Sequence, residues 1–251
     1  MVNFNQNLYV EEHNFVREGQ VQEEKKKKPG TGNGDIPTSA DISGIEVRLS
    51  RVLIEDNNTP SFLFLPGRTN VYFLNLVVSD LSKDQLKIDL RGFEKVDDGD
   101  SLNVDKTLFF WKKTTASAQP PSQVHVMCSL IKSKQGLRQA GDILAKVKGD
   151  PQYKTFVEEL GAMVRSANPV TEISNVVFSI AAIVGKYLGR VEDRPLLTWF
   201  QSFTDVGGDM DKTGKTVKEA ANKYASMRLT LYLRDKERQA EEERENQPEK
   251  D

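Results

Sequence analysis

Apolar residues alternate with polar ones in a series of short segments from Gly44 to Ile131; the period then becomes that of a helix as far as Leu188, and alternation returns near the end. That order of periods limits the fold more than any other feature. In GIEVRLSRVLI, Ile45, Val47 and Leu49 share one face, while Glu46, Arg48 and Ser50 share the other. Val52 and Ile54 resume the apolar set after an extra residue at Arg51, the mark of a β-bulge in an edge strand. SFLFL (61–65), NVYFLNLVV (70–78), QLKIDL (85–90), TLFFWKK (107–113) and QVHVMCSLI (123–131) follow, each bounded by turn residues. Strands in succession with no helix between them pair antiparallel, which predicts a sandwich or barrel.

The helical stretch divides at its own start signals. Asp150 followed by Pro151 is an N-cap with proline at the first helical position, and Asn168 followed by Pro169 repeats the arrangement. Between them Tyr153, Phe156, Val157, Leu160, Met163 and Val164 form one stripe. The third segment, 170–188, is apolar nearly all round and is expected to be the central member of a helical layer. LLTWFQSF (196–203) and SMRLTLYLRD (226–235) then return the chain to strands, with TVKEAANKYA as a short helix between them. The expected fold is mainly β with an α insertion: an antiparallel β-sandwich carrying about three helices before its last strands. Residues 1–43 are expected to be a flexible segment and linker, 44–235 the domain with its insertion at about 134–189, and 236–251 a charged, disordered tail.

Composition narrows the chemistry. Lys and Arg number 35 against 37 Asp and Glu, which gives no overall attraction to nucleic acid. Lys25–Lys28 form a short basic run beside Glu23 and Glu24, and such runs are ordinarily solvated. One cysteine and two histidines leave no disulfide framework and very little for a thiolate or imidazole metal site. Cys128 and His125 fall in one strand on opposite faces, so they form no nucleophile and base pair; Cys128 reads as core and His125 as surface. MVNFNQNLYV has neither the basic start nor the apolar run of a signal peptide, and the expectation is a soluble, cytoplasmic protein, with export that needs no signal left open. No enzymatic activity is expected.

Three motifs bear on function. GGDMDKTGKT (207–216) has the flavour of a phosphate loop, but that pattern needs glycine where Asp209 stands, and Asp209 and Asp211 would oppose a phosphate. Asp205, Asp209 and Asp211 could instead join Asp97, Asp98 and Asp100 around calcium if the two loops meet. In outline that is similar to the calcium-dependent phospholipid-binding sandwiches, which gather aspartates from loops at one end of the sheet. Finally, Phe178, Ile180, Ile183 and Lys186 mark the apolar segment, which either packs against the sheet or enters a membrane with Lys186 at the headgroups. The leading expectation is a protein-binding or self-assembly module with no cofactor. The alternative is a membrane-acting protein that binds lipid with calcium or forms pores.

Overall fold

A computed structural model of the chain describes residues 2–10, 42–60, 67–81, 85–104, 106–133, 139–165, 170–188, 194–205 and 207–235. The strands are β1 (Leu8–Val10), β2 (Gly44–Ile54), β3 (Thr69–Ser79), β4 (Leu86–Val96), β5 (Ser101–Leu102), β6 (Lys106–Lys112), β7 (Gln123–Ser133), β8 (Arg194–Thr204), β9 (Gly214–Ala221) and β10 (Ala225–Arg234). The helices between β7 and β8 are α1 (Ala140–Gly149), α2 (Pro151–Arg165) and α3 (Val170–Leu188). The SFLFL segment and the Asn168–Pro169 start signal lie outside the described residues, as does the tail from residue 236.

The expected β-sandwich with a helical insertion is what forms. One sheet runs β1-β8-β7-β3-β4, and the other runs β5-β2-β10-β9 with β6 also paired to β2. Every pairing is antiparallel except that of β1 with β8. The bulge falls where the extra residue predicts it, with Leu49 opposite Leu229 and Arg51 opposite Arg228, so Ser50 is skipped. It sits in the interior of the sheet, since β2 has neighbours on both sides.

Three layers result. The inner faces of both sheets enclose one core, with Val47, Leu49, Phe73, Val126, Trp199, Phe203, Leu229 and Leu231 among its members. A second core lies on the far side of the β7-containing sheet, where Tyr72, Leu74, Met127, Ile131 and Phe200 meet Ile143, Leu160, Ile180, Ala181 and Val184 of the helices. That sheet is covered on both faces, which is why β3 reads as a nearly unbroken apolar run and β8 is buried along almost its whole length, Thr198, Gln201 and Ser202 included. Among the described residues the β10-containing sheet has only its inner face covered, and β10 alternates accordingly.

Two expectations change here. TVKEAANKYA is no helix: 214–221 is strand β9, hydrogen-bonded to β10 in register from Ser226–Ala221 to Leu233–Gly214. Threonine and valine suit a pleated strand, and the partner strand settles a segment whose own period is weak. Residues 2–10 also belong to the fold. Val2 and Phe4 are buried in the helical core, and β1 pairs in parallel with Thr198–Phe200 of β8. Gly185 permits this, because a Cβ there would come within 3.1 Å of both Val2 and the Phe4 ring.

Candidate functional site

Helix α3 is the centre of its layer. Its polar positions Glu172, Asn175 and Lys186 are exposed and Ser179 is half-buried, in steps of three and four or their multiples, so they trace one narrow stripe. Every other described position of α3 is buried or half-buried. Ile180 and Ile183 are in the helical core, and Phe178 lies 5.9 Å from the Phe200 ring at 40°. Lys186 donates to the buried Asp150 carboxylate at 3.0 Å, and Tyr187 donates to the same oxygen at 2.8 Å. The hydrogen bonds from Lys186 and Tyr187 hold the Asp150 carboxyl below the usual carboxylate range. The other oxygen of Asp150 accepts from Gln152 N and caps α2, so one side chain joins the start of α2 to the end of α3. Among the described residues no helix is long and apolar enough to cross a membrane.

The two acidic loops do not meet. β3 pairs Thr69 with Val96 at one end and Val78 with Leu86 at the other, while β7 pairs Gln123 with Thr204 at that second end. Asp97, Asp98 and Asp100 therefore follow one end of the sheet, and Asp205, Asp209 and Asp211 follow the opposite end, roughly 30 Å away at a strand's rise per residue. Each loop uses its carboxylates locally. Asp97 pairs with Arg68 at 2.9 Å, Asp98 accepts from Asn57 N, Asp100 accepts from Asp97 N, and Asp209 accepts from Thr204 N. Asp211 is exposed, and Asp205 accepts from Gly208 N through its main chain. Among the described residues no group of three or more His, Cys, Asp or Glu is arranged to hold a metal.

His125 and Cys128 point apart as their spacing predicts, but His125 is not at the surface. The helical layer covers its face, and the ring is fully buried, stacked at 11° over Phe200 with centroids 6.1 Å apart. Nε2 donates to Gln123 Oε1 at 3.1 Å and Nδ1 accepts from Ser202 Oγ at 2.8 Å, which uses both nitrogens of the neutral ring. Burial pushes its pKa down to about 3. Cys128 lies on the other face in the core between the sheets and donates to Asn75 Oδ1, and burial pushes its thiol up. A neutral imidazole and a protonated thiol on opposite faces of a sheet give no nucleophile and base pair. The nearly unbroken apolar run of β3, which pairs with β7, is the signal that could have placed His125 inside.

The open surface is the outer face of the β10-containing sheet. Cross-strand pairs place Phe110 opposite Glu46, Thr230 opposite Val217 and Tyr232 opposite both Glu46 and Lys215. Phe110 is 60% exposed and Val217 44%, two of the three large apolar residues that are exposed among those described. Around them stand Arg48, Arg51, Lys112, Lys215, Arg228 and Arg234 against Glu46 and Glu219. Burial alone would raise the Glu46 carboxyl, but hydrogen bonds from Thr107 and Arg234 and the charges of Arg234 and Arg48 hold it below its ordinary value. Glu46 is thus committed to Arg234 at 3.0 Å, and the rest of the face stays cationic although the whole chain carries a formal charge of -2. β9 borders this face as an edge strand of 8 residues. Sequence reading found β2 and β10 but missed the face, because its residues come from four strands.

Compared with known proteins, the chain matches no family model and no curated protein sequence.

Proposed function

We propose that the protein is a non-enzymatic binding module that docks an acidic segment of another protein on the outer face of the β10-containing sheet, alongside edge strand β9. The observation that carries this reading is a cationic field flanked by exposed Phe110 on β6 at one side and exposed Val217 on β9 at the other, on the one broad sheet face that no other described layer covers. Exposed aromatic and aliphatic side chains supply area to bury, and the surrounding arginines supply complementarity and rapid encounter. Strand β9, last in its sheet among the described residues, lies beside this face where an extended partner segment would run. Self-assembly would use the same face if the acidic segment came from a second copy.

The test is a photo-crosslinking amino acid placed at position 110 or 217 and, as a reference, at exposed Lys154 on α2, in cells that make the protein. The expected result is one adduct, identified by mass spectrometry, from positions 110 and 217 and not from 154. The purified pair should then bind in a salt-dependent way, and Arg51→Glu should weaken it about tenfold or more. An adduct from position 154 alone, or binding indifferent to Arg51→Glu and salt, would overturn the proposal.

A further inference from the structure

At the end of the sandwich where β3 begins, a cleft of about 650 Å³ opens between the loop after β2, the start of β3, the end of β4 and the junction of β7 with β8. We infer that this cleft is a binding site for a small oligoanion carrying two or more phosphate groups. Four cations, Arg68, Lys95, Lys132 and Arg194, line it, and no described lining residue is a carboxylate. Its size is that of an ordinary small-molecule site. The polar groups beside the cations, Thr59 and Asn70 among them, are hydroxyl and amide rather than acidic.

The walls are built rather than incidental. Asn57 is fully buried and uses every group it has: its Nδ2 donates to Gly67 O and Val96 O, its Oδ1 accepts from Thr59 N, and its main-chain N donates to Asp98. Gly67 lies close against the main chain of Thr59 and Pro60, since a Cβ there would collide with Thr59 O and stand 2.7 Å from Pro60 O. Lys132 donates to Asn58 O and Thr59 Oγ1, which fixes one wall to the end of β7. Among the described residues three non-glycine residues have positive φ, and two of them, Asn58 and Lys95, line this cleft at 55° each. The Lys95 conformation is held by its N–H to Asn70 Oδ1 at 3.1 Å, so a strained residue is kept at the cleft by a partner across it. Arg68 is oriented by Asp97 through Nε, an arrangement that presents a planar guanidinium suited to paired phosphate oxygens.

The inference stands apart from the protein-docking reading, because the cleft lies at the end of the sandwich and shares no residue with the outer sheet face. It is tested by calorimetric titration of the full chain with inorganic pyrophosphate and with orthophosphate at low ionic strength. Pyrophosphate should bind saturably and more tightly than orthophosphate. The double variant Lys95→Gln, Arg194→Gln, both exposed residues, should lose about tenfold or more in affinity with its melting temperature unchanged. The control Arg51→Gln, Lys215→Gln on the outer sheet face should bind pyrophosphate as the parent does. Absence of saturable binding, or an equal loss in the control, would overturn the assignment.

Discussion

His125 shows how far a single residue's surroundings decide its chemistry. Its ring is neutral in the fold, with a pKa pushed from 6.5 to about 3, so in that interval the unfolded chain binds the proton and the folded chain does not. Stability is therefore lost as pH falls from about 6.5 toward 3, by at most about 1.4 kcal/mol for each pH unit. The depressed Asp150 carboxyl acts below its ordinary value of 3.8 and so overlaps the histidine only at the acid end of its range, between 3.8 and about 3. His125→Gln should flatten the slope of unfolding free energy between pH 6 and 4 in about that proportion, measured by urea denaturation, while lowering stability at neutral pH. An unchanged slope would mean that the ring is not held neutral under the helices. Alternation alone put His125 at the surface, because a period of two separates faces without saying which of them is covered. The ring stacked on it, Phe200, and the Phe178 ring of α3 that packs on Phe200 are far away in sequence.

At the scale of elements, the segments that announce themselves are those whose own sequence carries the signal. Asp150–Pro151 marked the start of α2, and the clean alternation of β10 marked its buried face. β9 and β1 were not legible because neither is fixed by its own residues. β9 takes its conformation from pairing with β10, and β1 is a strand of 3 residues held by the docking of Val2 and Phe4 on α3. The docking makes Gly185 a point of control. Gly185→Val would drive its side chain into Val2 and Phe4, at a cost of about 1–3 kcal/mol. We expect faster proteolysis within residues 1–10 and lower stability in denaturant; a variant as resistant and as stable as the parent would show that β1 does not depend on that contact. The acidic loops were visible as clusters, but their separation was not, because strand order alone decides which ends lie together.

For the molecule as a whole, the governing fact is an asymmetry of cover. Among the described residues one sheet is enclosed by the other sheet and by three helices, while the second sheet keeps an open outer face with exposed Phe110 and Val217. The apolar surface of α3, which in isolation suggests a membrane, is largely spent on the enclosed sheet. The functional reading depends on that cover staying shut. Hydrogen–deuterium exchange of the full chain, read segment by segment at neutral pH, tests it most directly. The account predicts that amides of β3, β7, β8 and α3 exchange slowest, near the rate of global unfolding, and that edge strand β9 exchanges much sooner. If α3 and the part of β7 around His125 exchanged as fast as β9, the helical layer would be opening, and the claim that the outer face of the β10-containing sheet is the protein's binding surface would lose its basis.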